Sequence, residues 1–429
     1  MNFSAKVFWA TLRKPANMEL VYDWNNPEQK PTTRTTPFEI ADETLRDGLQ
    51  SPSVKNPTIE EKLKLLHLMH ELKIPVADIG LPGAGPRHYA DTLRLAQEIV
   101  REKLDIRPYC AARTVKADIE PVIDISQKAG LSIEVAAFLG SSPIRQYAEN
   151  WDLAILLKHT EEAVSFVTQH NLPTMYVTED TTRSHPDTLS ALYKKAIECG
   201  ARRVCISDTV GHSTPEGVKN LVHFVRKVVH ETGLPVMIDW HGHRDRDLAM
   251  ANTLVALEAG VDRVHGAGLG IGERVGNTPI DLLLVNLKLL GYLNQDLTRL
   301  PDYVALVSKA CSVPIPKNYP VFGADAFRTA TGVHAAAIIK AEKKGEAWLA
   351  DRIYSGVPAG LFGLEQRIEI GPMSGQSNVI YWLEKRKLPI DKEVIDLILR
   401  KAKNSETILS ENEILEVVRS AKLAGGKHD

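Results

Sequence analysis

A (β/α)₈ barrel, an α/β architecture of the TIM-barrel type, followed by a smaller and mostly helical C-terminal region, is expected of this 429-residue chain. Three features point to it. Eight short apolar runs recur between residues 38 and 270, each interval between them carries helical periodicity, and the rhythm stops after about residue 300. Alternating strands and helices imply a parallel sheet, because parallel strands need a crossover between them. Eight units over roughly 260 residues fit a closed barrel. Strand count alone leaves a doubly wound open sheet as the alternative.

The strand-like runs are FEIADE (38–43), VADIG (76–80), DIRPYCAA (105–112), SIEVAAF (132–138), PTMYVTED (173–180), RVCISDT (203–209), PVMIDWHGH (235–243) and RVHGAGLG (263–270). Of the helical intervals, IEEKLKLLHLMHELK (59–73) puts Leu63, Leu66 and Met69 on one stripe. LAMANTLVALEAG (248–260) ends in Gly260, which suits the left-handed position after a helix. Residues 1–37 are polar and interrupted by Pro15, Pro27, Pro31 and Pro37, and read as an extended arm. The barrel then spans 38–300. Residues 301–320, with three prolines between Val313 and Pro320, read as a linker, and 321–429 as a helical subdomain. Ser410 and Glu413 stand at capping-box spacing before the last helical stretch.

Lys and Arg number 52 against 54 Asp and Glu, a net charge of −2, which gives no electrostatic footprint for nucleic acid or an anionic membrane. Apolar residues make up 44% and charged residues 25%, as in ordinary globular proteins. No apolar run approaches the ~18 residues of a membrane span. The first twenty residues lack the continuous apolar stretch of a secretory signal. Cys110, Cys199, Cys205 and Cys311 form no CxxC pair, so reduced thiols and a cytoplasmic location are expected. Cys205, inside RVCISD, reads as a buried small hydrophobe.

In such a barrel the chemistry sits at the C-terminal ends of the strands. The first strand runs into Asp42, Glu43, Arg46, Asp47 and Gln50. The fourth leads to Ser141 and Ser142, the fifth to Glu179 and Asp180, and the sixth to Asp208 and Thr209. The seventh ends in His241, Gly242 and His243, and the eighth leads to Glu273, Arg274 and Asn277. His241 and His243 are two apart on a strand, so both side chains face one way and can address one cation. With Asp47 from the first strand, brought near only if the sheet closes, and an amide oxygen from Asn277, they would suit Mg²⁺, Mn²⁺ or Zn²⁺. The same two imidazoles would also serve as hydrogen-bonded rim histidines. Arg46 is a candidate for stabilising a developing enolate or carboxylate, with an ion pair to Glu43 or Glu179 as the alternative. GLGIGERVGN lacks the context of a dinucleotide-binding loop, and neither a P-loop, a GxSxG elbow nor an HExxH motif occurs.

ETLRDGLQ and HGHRDRDLAMANTLVALEAGVDRVHGAGLGIGERVGN together resemble the DRE-TIM metallolyases, the pyruvate-carboxyltransferase-like aldolases. Within them the chain is most similar to the 2-isopropylmalate synthase and homocitrate synthase branch, over roughly residues 38–380. The TLRDG pattern matches Thr44 to Gly48. HxHND matches His241, His243 and Asp245, with Arg244 in place of the usual Asn. GERxGN matches Gly272 to Asn277, EDTTR covers Glu179 to Arg183, and DTVG covers Asp208 to Gly211. TGVHAAAIIKAE supplies His334 and IYSGVPAGLFG supplies Tyr354.

The resemblance implies a Claisen condensation of acetyl-CoA with a 2-oxo acid to give a 2-hydroxy acid of the alkylmalate type. It implies a divalent metal on Asp47, His241, His243 and Asn277, with Arg46 and Glu179 at the reacting centre. His334 and Tyr354 would be acid/base candidates in the partner's site of a domain-swapped homodimer, with His334 the better base; by residue type alone Tyr354 is a packed aromatic. Gln50, Arg113, Ser142 and Thr209 would contact substrate. Arg113 suits either a distal carboxylate or a rim ion pair. Leu49 replaces the synthases' usual Glu and is closer to 3-hydroxy-3-methylglutaryl-CoA lyase. That lyase carries a catalytic cysteine in its glycine loop, and GLGIGERVGN has none. A hydroxyacyl-CoA lyase on the same metal scaffold, or a non-catalytic paralogue, are the alternatives.

Overall fold

The computed structural model describes residues 20–25 and 37–425. The expected N-terminal arm lies largely outside the described residues. Eight parallel strands close into one barrel: β1 (Glu39–Asp42), β2 (Val76–Asp78), β3 (Arg107–Arg113), β4 (Glu134–Gly140), β5 (Thr174–Glu179), β6 (Arg203–Asp208), β7 (Met237–Gly242) and β8 (Arg263–Gly266). Each overlaps one of the expected runs. Closure is made by β1 against β8, where Glu39 pairs with Arg263 and Asp42 with Gly266. The open-sheet alternative is thereby excluded.

Strand alternation sorts the side chains into two layers. Ile40, Val204, Ile238 and Val264 face outward into the layer shared with the helices. Ala41, Val76, Tyr109, Ala136, Met175 and Cys205 cluster inside the barrel. The helix Ile59–Glu71 opens on a capping box: Thr58 Oγ1 accepts from the Glu61 N–H, and the Glu61 carboxylate accepts from the Thr58 N–H at 2.9 Å. Leu66 and Met69 of its stripe are fully buried, whereas Leu63 is only partly so. Gly260 caps the helix Ala249–Ala259 at φ +109°, a conformation glycine adopts without penalty. All four cysteines are free, and Cys205 is buried. No helix among the described residues is long and apolar enough to cross a membrane.

The stretch expected to be a linker, 301–320, departs from that expectation. A helix, Leu300–Cys311, buries Leu300, Tyr303, Val304, Val307 and Cys311 in the barrel core. The prolines act only after it, where they end the helical course. Beyond it lie a short parallel pair, β9 (Arg328–Thr329) and β10 (Arg367–Ile368), and the helices Gly332–Lys343, Gln376–Lys385, Lys392–Lys403 and Glu411–Gly425. These have cores of their own, one around Ile338 and Ile368, the other around Ile370, Trp382 and Ile398. The Ser410–Glu413 capping box forms as expected.

Candidate metal centre and active site

β7 carries Asp239 and His241 on its inward face, and the chain continues in the same sense to His243. Asp47 opens a 3₁₀ turn, Asp47–Gln50, just after β1. Barrel closure brings these together. Asp47 Oδ2 lies 4.0 Å from His241 Nε2 and 3.8 Å from His243 Nε2. One donor atom from each of the three falls within 4.8 Å of the others. Two ligands about 2.1 Å from one ion lie at most about 4.2 Å apart, so both measured spans suit a shared cation. Asn277, bridged to His243, donates Nδ2 to Asp47 Oδ2 at 2.6 Å and to the Ile271 carbonyl at 3.0 Å. Its Oδ1 is buried and accepts no hydrogen bond, an orphan acceptor beside the cluster. Gly272, at φ +148°, permits this approach: a Cβ there would sit 2.3 Å from Asn277 Nδ2. A carboxylate, two imidazoles and an idle amide oxygen fit a divalent ion.

Charges are arranged around that group. Arg46 donates Nε to Asp78 at 2.6 Å and Nη1 to Asp47 at 2.7 Å, with Glu43 3.6 Å from Nη2. Burial opposes its charge, but the three carboxylates outweigh burial and keep the guanidinium ionised. Burial likewise opposes charge on Glu43, and the His241 and His265 imidazoles overcome it. His243 is pushed down to about 4 by burial and by His241, which leaves it neutral. His241 is held above its ordinary value because Glu43 and Asp47 outweigh burial.

The remaining expected residues scatter. Gln50 is exposed at the end of the 3₁₀ turn. Arg113 is gripped by Asp118 through Nε at 2.7 Å and Nη2 at 2.9 Å, so the rim ion pair is the arrangement found. Ser142 caps the helix Pro143–Glu149. Glu179 ends β5, 4.0 Å from Arg145. Thr209 accepts from the Asp180 N–H through Oγ1. Arg274 holds Asp245, and Arg244 pairs with Asp247. His334 and Tyr354 stack on each other in the C-terminal region.

A buried ionic column beneath the centre was not anticipated. Asp239 receives Arg203 at 2.6 Å and Arg263 at 2.5 Å. Arg263 continues to Glu134, and Arg203 to Glu39. The sequence carried a signal for it: ionisable residues two or four apart, and so on one face of a strand, as in Glu39-x-x-x-Glu43, Asp239-x-His241 and Arg263-x-His265, on strands that line a barrel.

Fold and site together define a (β/α)₈ barrel with a candidate divalent-metal centre on its C-terminal rim. The chain belongs to the HMGL-like family, the DRE-TIM metallolyases, whose profile matches residues 37–307. It is 29% identical over 398 residues to a homocitrate synthase of Methanopyrus kandleri, covering 91% of this chain and 94% of that protein. It is 30% identical over 368 residues to the 2-isopropylmalate synthase of Halothermothrix orenii, covering 84% and 68%. The hydroxymethylglutaryl-CoA lyase of Pseudomonas aeruginosa superposes with a TM-score of 0.54 over 64% of this chain and 92% of that one; at 19% identity it shares the fold.

Proposed function

We propose that the protein condenses acetyl-CoA with a 2-oxo acid to form a 2-hydroxy acid, in the manner of a 2-isopropylmalate or homocitrate synthase. The observation that carries this reading is the convergence of Asp47, His241 and His243 beside Arg46, on a chain similar to named synthases along most of its length. A divalent cation held by those three residues would supply Lewis-acid polarisation of the oxo acid's carbonyl. Arg46, fixed by Asp78 and Asp47, presents positive charge where an enolate or carboxylate oxygen develops charge. The α-protons of a thioester are weakly acidic, so a positioned base is also needed. His334 serves as that base and Tyr354 as its partner. Residues 321–429 bring both to the partner's barrel in a domain-swapped homodimer. Glu179 orients the attack from the β5 end. The absence of cysteine from GLGIGERVGN favours condensation over the lyase reaction.

The test is incubation with acetyl-CoA, a panel of 2-oxo acids and a thiol reagent, in the presence of Mg²⁺, Mn²⁺ or Zn²⁺. Free CoA released only when an oxo acid is present supports condensation. Cleavage of a hydroxyacyl-CoA without any oxo acid overturns it in favour of the lyase.

A further inference from the structure

Only one of the two imidazoles has a carboxylate behind it. His241 Nδ1 meets Glu43 Oε2 at 2.7 Å, whereas His243 Nδ1 is buried without a partner. Glu43 Oε1 accepts from Tyr109 OH at 2.8 Å and from His265 Nδ1 at 2.9 Å. His265 Nε2 meets Asp239 Oδ2 at 2.9 Å. Both nitrogens of His265 therefore face carboxylate oxygens. Glu43 is anchored through Oε1, with Oε2 turned to His241. The proton of a neutral His241 then belongs on Nδ1, and the lone pair on Nε2, the nitrogen nearest Asp47.

We propose that Glu43, anchored by His265 and Tyr109 and braced by Asp239, is a positioning residue that fixes the tautomer and ring orientation of His241 for metal binding. A carboxylate on the far nitrogen of a metal-bound imidazole sets its tautomer and raises its basicity, and loss of such a partner typically weakens metal affinity about 10–100-fold. The chain Asp239–His265–Glu43–His241 leaves β7, crosses β8 and β1, and returns to β7, so it exists only because the barrel closes. The inference rests on the metal reading of Asp47, His241 and His243 and is independent of the condensation.

The test uses chelator-stripped full-length protein titrated with Co²⁺, followed by its visible absorption. Glu43→Gln is expected to weaken Co²⁺ binding about 10–100-fold and alter the absorption bands. Tyr109→Phe keeps the carboxylate on His241 and removes only one of its anchors, so it is expected to weaken Co²⁺ binding less than Glu43→Gln does; a larger loss than in Glu43→Gln overturns the proposal. Histidine ¹⁵N NMR of the Zn²⁺-loaded wild type needs no variant and is expected to put the His241 proton on Nδ1. A proton on Nε2, or wild-type affinity and spectrum in Glu43→Gln, overturns the proposal while the metal reading stands. A wild-type protein that binds no Co²⁺ overturns both. Bound metal without condensation overturns the proposed reaction alone and supports this inference if Glu43→Gln still weakens binding.

Discussion

His334 stacks on Tyr354, with ring centroids 4.0 Å apart and planes 23° apart, and both rings are exposed to solvent. Among the described residues neither ring makes a hydrogen bond or aromatic contact with the barrel rim. The pair is held together and faces outward, which suits action on a site in another subunit.

That relationship yields a complementation prediction. His334→Ala and Asp47→Asn proteins, each inactive alone, should regain activity when their subunits are exchanged. Random pairing makes half the dimers mixed, each with one intact site, so recovery should approach about a quarter of wild type. Proven subunit exchange with no recovery would show that His334 acts within its own chain, or not at all.

Removing a ligand should empty the centre. Asp47→Asn and His241→Ala should each reduce bound divalent metal from stoichiometric to trace amounts, read by elemental analysis after desalting. Asp47 also neutralises Arg46, so its loss should cost activity twice, through the ion and through the guanidinium. Unchanged metal content in both variants would refute the ligand assignment.

Arg46 offers a separate test of charge placement. Lysine keeps the charge but loses the fork that engages Asp78 and Asp47 together. Arg46→Lys should lower kcat by about 10²–10³-fold, the usual cost of one misplaced oxyanion partner. Thermal unfolding and metal content should change little. Steady-state kinetics with acetyl-CoA and the best oxo acid decide it; wild-type kcat would remove Arg46 from the chemistry.

A pH effect on stability is expected away from the centre. Burial raises the Asp281 carboxyl to about 6, even though Tyr319 OH and the Leu269 N–H donate to it and work the other way. Its unfolded value is near ~3.9. Between those values the unfolded chain has released a proton that the folded protein still holds, so stability falls as pH rises. The contribution is intact below about pH 4 and gone above about pH 6. Asp281→Asn cannot ionise. From pH 4 to 7 the stability of wild type relative to this variant should therefore fall by up to about 3 kcal/mol in urea unfolding. Parallel pH profiles would show that Asp281 does not titrate differently on folding.

Much of this architecture was legible along the chain because its signals are local. Strand runs such as RVCISD are buried on both faces, so their middle residues, Val204 to Ile206, are all apolar, and the helices between them show their own stripe. Ser410 with Glu413, and Gly260, act over a few residues and perform the capping expected of them, and Thr58 with Glu61 forms a further capping box. The Leu300–Cys311 helix was missed because the prolines just after it dominate the local pattern, while its buried face depends on a barrel wall formed by distant strands.

Residue order alone settled the eightfold β/α rhythm and the identity of the rim residues, including Asp47 and the His241–His243 pair, since periodicity and motif spacing are properties of neighbours. It left open whether the sheet closes and what stands behind His241. Both answers came from β1 pairing with β8, which puts Glu43 and His265 within hydrogen-bonding reach although 222 positions separate them. A contact across that interval is a consequence of ring closure, and no local pattern encodes it.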